Sequence, residues 1–170
     1  MDIRLPRLTA RKIVICFDGT GNDVGDNESN VLKLYKSLVE NDEQITHYVP
    51  GVGTMDNPRL FASRFRAKLR AVAGLAFGKG LEDDVLDAYR FLCRTYQSAG
   101  HKISQRRASL KNLEAHFGSS EKGPKVEAQD DHIYIVGFSR GAYAARILAG
   151  FIHNFGLVEP DNLHMIAQVF

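Results

Sequence analysis

The stretch HIYIVGFSRGAYAARILAGFIHNFG, residues 132–156, joins a short apolar run to a helix-forming run through the five residues G-F-S-R-G. Residues 132–136 read as a buried strand and 142–155 as a helix. Where G-x-S-x-G ends a strand and opens a helix, the serine occupies a sharp, strained turn. Positions two before and two after it approach closely, so side chains there would clash; hence Gly137 and Gly141. The turn lifts the Ser139 hydroxyl above the sheet edge and aims the Arg140 backbone N–H at the same point. Partial positive charge gathers at such a helix N-terminus. An oxyanion formed by attack on a carbonyl is stabilised there, which makes Ser139 the candidate nucleophile. The plainer alternative is a strand-to-helix turn with an incidental serine.

Working outward, KIVICF (Lys12–Phe17) is a continuous β-branched apolar run, the pattern of a strand buried on both faces in a parallel sheet. DGTGND breaks it. Ligand sites in open α/β sheets lie outside the carboxyl ends of strands, so this loop is expected to border Ser139. A backbone N–H of Gly19 or Thr20 is the candidate second oxyanion donor, and Asp18 is the candidate that orients the loop. The alternative is a tight Asx-type turn. CFDGT also resembles the D-x-D-G-T of aspartate-nucleophile phosphatases, but Cys16 stands where that chemistry needs a carboxylate.

Ser29 or Asn30 is placed to cap a helix over VLKLYKSLVEN, with Val31, Leu34, Tyr35 and Leu38 on one face. QITHYVPGVG reads as a strand over 45–49. RLFASRFRAKLRAVAGLAF carries Phe61, Phe65, Leu69 and Val72 at helical spacing. Residues 57–81 hold no acid, so this helix is read as a core helix with a solvated basic face. Contact with an anionic membrane surface is the alternative. GLAFGKG lacks the spacing, the preceding strand and the terminal Ser or Thr of a P-loop. LEDDVLDAYRFLCRTYQ is a helix with Val85, Tyr89, Leu92 and Tyr96 inward and its acids in the first turn, where the helix dipole favours them. Residues 100–131 are polar and of mixed charge. They read as a surface insertion, with a short helix over RASLKNLEAHF. Gly156 supplies a helix stop and Pro160 prevents resumption. The order β-α-β-α-α-β-α predicts a single α/β domain over 1–170, a parallel sheet with helices on both faces.

Composition sets outer limits. The chain has 170 residues, with 22 Lys+Arg against 20 Asp+Glu, a formal net charge of +2. That balance argues against a nucleic-acid partner. Cys16 and Cys93 make no disulfide framework and read as reduced thiols. MDIRLPRLTARK has no apolar core, so no signal peptide is expected and synthesis is cytoplasmic. No apolar run approaches the ~20 residues of a membrane span. No metal or cofactor pattern stands out.

Five motifs, CFDGTGN, NVLKLYKSL, YVPGVGT, GLEDDVLDAYRFL and GFSRGAYAARILAGFI, occur here in the order seen in one α/β-hydrolase family. The chain resembles that family, which includes the phospholipase effectors of type VI secretion systems, over residues 13–157 apart from 100–131. The resemblance implies an α/β-hydrolase fold, Ser139 as nucleophile, acyl esters or phospholipids as substrates, no cofactor, and export by a type VI system.

In α/β-hydrolases the acid and then the histidine follow the serine. His153 lies fourteen residues along the helix after the turn, about 21 Å away at ~1.5 Å per residue. His132 opens the strand at its far end, about 23 Å off at ~3.3 Å per residue. His47 has no evident acid partner. His164, with Glu159 or Asp161, would have to fold back. The resemblance therefore implies that the acid and histidine belong to a later region, the 170 residues being the N-terminal part of a longer hydrolase, a truncated gene product or half of a two-chain enzyme. The rival to a serine ester hydrolase is a non-catalytic binding or remnant domain that keeps the fold and lacks the triad.

Overall fold

A computed structural model describes residues 7–19, 28–51, 79–117 and 127–168. Three strands form one sheet: β1 (Lys12–Phe17), β2 (Gln44–Val49) and β3 (His132–Gly137). Their order is β2-β1-β3, and both pairings are parallel, as the apolar runs predict. Ile15 stands level with His47 on one side and Ile135 on the other. β1 is central. β3, which reads in the sequence as a buried strand, is an edge strand among the described residues, and its Tyr134 is 46% exposed.

Alternation along β1 builds two apolar layers. Ile13, Ile15 and Phe17 face a core made with helix α2 (Lys79–Thr95) and helix α4 (Arg140–Phe155). Val14 and Cys16 face the other way, toward Val31, Tyr35 and Leu38 of the segment led by helix α1 (Asn30–Ser37). Helices thus cover both faces, and β1 buries every side chain after Lys12. Each fully buried aliphatic or aromatic side chain stabilises such a layer by about 1.5–3 kcal/mol. Val85, Tyr89 and Leu92 form the inner face of α2, with Tyr96 packed beside them. On α1 the inner face is Val31 and Leu32; Leu34 is turned outward. Ser29 is the N-cap, its hydroxyl accepting from the Leu32 N–H at 2.9 Å.

Two local readings change. Helix α3 (Ala99–Phe117) starts well before the short helix expected within 100–131. Its first turn is anchored, because Lys102 is 1% exposed and its ammonium meets Asp131 Oδ1 at 2.6 Å and the Thr9 and Gln129 carbonyls at 2.9 Å. Gly156, at φ +71°, does stop α4. Pro160, however, opens a 3-10 helix (Pro160–Gln168) rather than forbidding one. Its ring presets φ for a first helical position, where a missing N–H costs nothing. The expected basic helix in the 59–77 region lies outside the described residues.

Candidate functional site

β1 and β3 end at the same sheet edge, and the turn at Ser139 rises from that edge. Ser139 has φ +53° and ψ −121°, the one non-glycine residue at positive φ among those described. Such a conformation costs about 1–3 kcal/mol and persists only where the surroundings impose it. Here the Phe138 N–H donates to the Phe17 carbonyl at 3.1 Å, and the Gly141 N–H to the Phe138 carbonyl at 2.9 Å. The Ser139 hydroxyl makes no capping bond to the helix it precedes. The Arg140 N–H, first of α4, donates to no other described backbone carbonyl.

The two glycines are there for space. A Cβ on Gly137 would lie 2.4 Å from the Gly141 carbonyl oxygen, and one on Gly141 would lie 2.3 Å from that of Phe17. Both obstacles are backbone and cannot swing away. Gly141→Ala is therefore expected to destabilise the chain by about 3 kcal/mol, the upper range of overpacking. Gly150, inside the same helix with nothing within 4 Å of its missing Cβ, is the control. Gly150→Ala should stabilise by about 0.5–1 kcal/mol. Urea midpoints of the two variants test the contrast; a Gly141→Ala midpoint at or above wild type refutes the crowding argument.

The structure brings Gly19 and Ser139 together. A Cβ on Gly19 would stand 3.2 Å from Ser139 Cβ and 3.1 Å from the Phe138 ring. Asp18 is buried beside it, and among the described residues its carboxylate gathers groups from three elements. Oδ1 accepts from the Gly19 N–H at 2.7 Å; Oδ2 accepts from the Ser29 hydroxyl at 2.6 Å and the Tyr48 hydroxyl at 2.7 Å. The end of β1, the cap of α1 and β2 are thereby tied to one carboxylate. Burial, then the bond to Asp18, pushes the Tyr48 phenol far above its ordinary range, so Tyr48 stays a donor. Burial and the Asp18 charge push the Cys16 thiol up as well, which makes it a poor nucleophile. Thr20 lies outside the described residues.

No described histidine meets Ser139. His132 and His153 are exposed, and the exposed His164 ring lies 3.0 Å from the Asp161 carbonyl. His47 does have an acid neighbour, contrary to the sequence reading: Nε2 lies 3.6 Å from Asp87 Oδ2, and the ring stacks on Phe91 at 4.2 Å. Helical spacing on α2 puts Asp87 and Phe91 on one face, a signal that shows only once β2 is known to lie beneath it. Burial lowers the His47 pKa against the pull of Asp87. Two strand spacings and four residues separate His47 from Ser139, about 16 Å at ~4.8 Å per strand and ~3.3 Å per residue. A cleft of about 620 Å³ lies at the opposite sheet edge, lined by Gln97, His101, Asp131 and Glu159 among others, and none of the Ser139 turn borders it. No described helix is long and apolar enough to cross a membrane.

Sequence reasoning also missed Asp84. The Arg140 side chain crosses to α2, where Nη2 lies 3.4 Å from Asp84 Oδ2. Burial pushes the Asp84 carboxyl up, while Arg140 pulls it down.

Parallel strands, helices on both faces and a strained serine between strand and helix define an α/β protein with its candidate chemistry at the carboxyl edge of the sheet. Residues 11–170 match the family described as T6SS, Phospholipase effector Tle1-like, catalytic domain, and the chain belongs to that family. It is also 30% identical over 168 residues to an uncharacterized protein of Saccharomyces cerevisiae, an alignment covering 95% of this chain and 20% of the yeast protein. The chain therefore spans about a fifth of the length of that relative. No solved structure matches it.

Proposed function

We propose that the chain is the nucleophile-bearing part of an α/β-hydrolase that cleaves acyl esters, with phospholipids as the substrate class. The observation that carries this reading is Ser139 at φ +53°, between crowded glycines and beside the first N–H of α4. Family membership supplies the lipid class. Ser139 Oγ attacks the ester carbonyl carbon, and its proton passes to a histidine base. The Arg140 N–H and an N–H of the Gly19–Thr20 loop hold the oxyanion. The Gly19 N–H also donates to Asp18 Oδ1 at 2.7 Å, which ties this loop to the buried carboxylate. Collapse of the intermediate breaks the bond to the leaving alcohol, which takes the proton from the histidine; water then hydrolyses the acyl-serine.

The test is fatty-acid release from phosphatidylglycerol or phosphatidylcholine vesicles by the longest native form of the protein. Ser139→Ala is expected to lower the rate at least ~10³-fold, since the residue and its base act as a unit. Equal rates in the two forms would reject the nucleophile. A second reading, a binding domain that retains the fold, draws on the Ser139 hydroxyl having no capping bond and no described histidine beside it. Vesicle binding without any Ser139-dependent release favours it.

A further inference from the structure

We propose that the ion pair between Arg140 and Asp84 positions the Ser139 turn, fixing the direction of the Arg140 N–H from the neighbouring helix. The inference rests on the hydrolase reading for its purpose, though not for its mechanics. Arg140 carries two groups with separate tasks. Its N–H belongs to the peptide that follows the strained serine. Its guanidinium reaches α2 and lies 3.4 Å from Asp84, with the two side chains only 14% and 24% exposed. Relaxation of Ser139 toward an ordinary conformation would rotate that peptide and swing the N–H away. Fastening the Arg140 side chain opposes the rotation.

Geometry supports an electrostatic clamp rather than a simple hydrogen bond. At 3.4 Å the contact is long for a bond yet close for opposite charges in a water-poor setting. The buried Arg140 Nε has no partner among the described residues, and Asp84 anchors this guanidinium. Helices α2 and α4 share one apolar cluster, in which the Tyr89 and Phe151 rings meet edge to face at 4.8 Å. A shift of α2 would therefore be transmitted to the turn through Asp84.

Amide hydrogen exchange in the full chain reads the clamp directly. Asp84→Asn is expected to speed exchange at Gly141 and Ala142 about tenfold while Leu148, in the core of the same helix, is unchanged. The charge-swapped double variant Asp84→Arg with Arg140→Asp should restore protection. Labelling of Ser139 by a fluorophosphonate probe in the longest native form of the protein should slow about tenfold in Asp84→Asn. Unchanged exchange at Gly141 and Ala142, or an equal rise at Leu148, overturns the positioning role. If Asp84→Asn changes exchange as expected while the longest native form of the protein never labels at Ser139, the clamp stands and the hydrolase reading falls.

Discussion

Asp131→Ala is expected to lower the stability of the chain by about 3–5 kcal/mol, the range for removing one partner of a buried ion pair. Asp131 accepts five hydrogen bonds. They come from the Arg11 N–H at 3.0 Å, Arg11 Nε at 3.0 Å and Nη2 at 2.5 Å, the Gln97 N–H at 2.9 Å and Lys102 Nζ at 2.6 Å. Its side chain is 0% exposed and that of Lys102 only 1%. Alanine would leave the Lys102 ammonium buried with two carbonyls and no counter-charge. It would also leave the Arg11 N–H, just before β1, and the Gln97 N–H without their acceptor. With a urea slope of ~2 kcal/mol per molar, the midpoint should fall by about 2 M. A fall under about 0.5 M would show that the cluster contributes little.

The same cluster fixes an acid dependence. Burial alone would raise the Asp131 carboxyl, but the bonds from Arg11, Lys102 and Gln97 outweigh it and hold the carboxyl below its ordinary value. A depressed folded value means the stabilisation is fully present above the unfolded pKa of ~3.9 and is lost as pH falls through the folded one. Wild type should therefore lose stability on acidification below about pH 4, and Asp131→Ala should show a shallower loss there.

The parallel sheet was legible chiefly through β1, which is buried on both faces. KIVICF contains no polar residue between its ends, the mark of a strand covered from two sides, whereas HIYIVG has the same look although its Tyr134 is 46% exposed. The Ser139 turn was legible for a related reason: Gly137 and Gly141 mark backbone contacts that exclude a Cβ, and exclusion leaves a trace in the sequence. Charged side chains leave none. Lys102 reads as one more surface lysine, and its burial follows from Asp131, 29 residues later, and from the carbonyl of Thr9. Asp84 reads as a first-turn acid favoured by the helix dipole; its partner Arg140 is 56 residues away. Asp87, three residues further along α2, looks solvated until β2 places His47 beside it. Pro160 misled because its ring permits a new helical start as readily as it forbids continuation.

The largest expected effect concerns catalysis by the 170 residues alone. Ser139 has a strained turn, an unengaged N–H beside it and no described histidine within reach. Attack on an ester needs the hydroxyl proton to go somewhere, and a positioned general base contributes ~10²–10⁴-fold. Without one, the turn offers only binding and oxyanion stabilisation. The isolated chain should therefore hydrolyse a short-chain p-nitrophenyl ester at a rate close to that of its Ser139→Ala variant, and label slowly with a fluorophosphonate. β3 points to where the remedy docks: it leads directly into the Ser139 turn, yet its outer edge is unpaired among the described residues. A segment of the natural protein that adds a strand there and brings an Asp and a His should raise labelling at Ser139 by at least ~10²-fold, the lower bound of general-base catalysis. Supplied with that segment, Ser139→Ala should stay unlabelled. Rapid labelling of Ser139 in the 170 residues alone would mean that a base already reaches it, and His164, on a helix that packs beside α2, would be the first residue to replace.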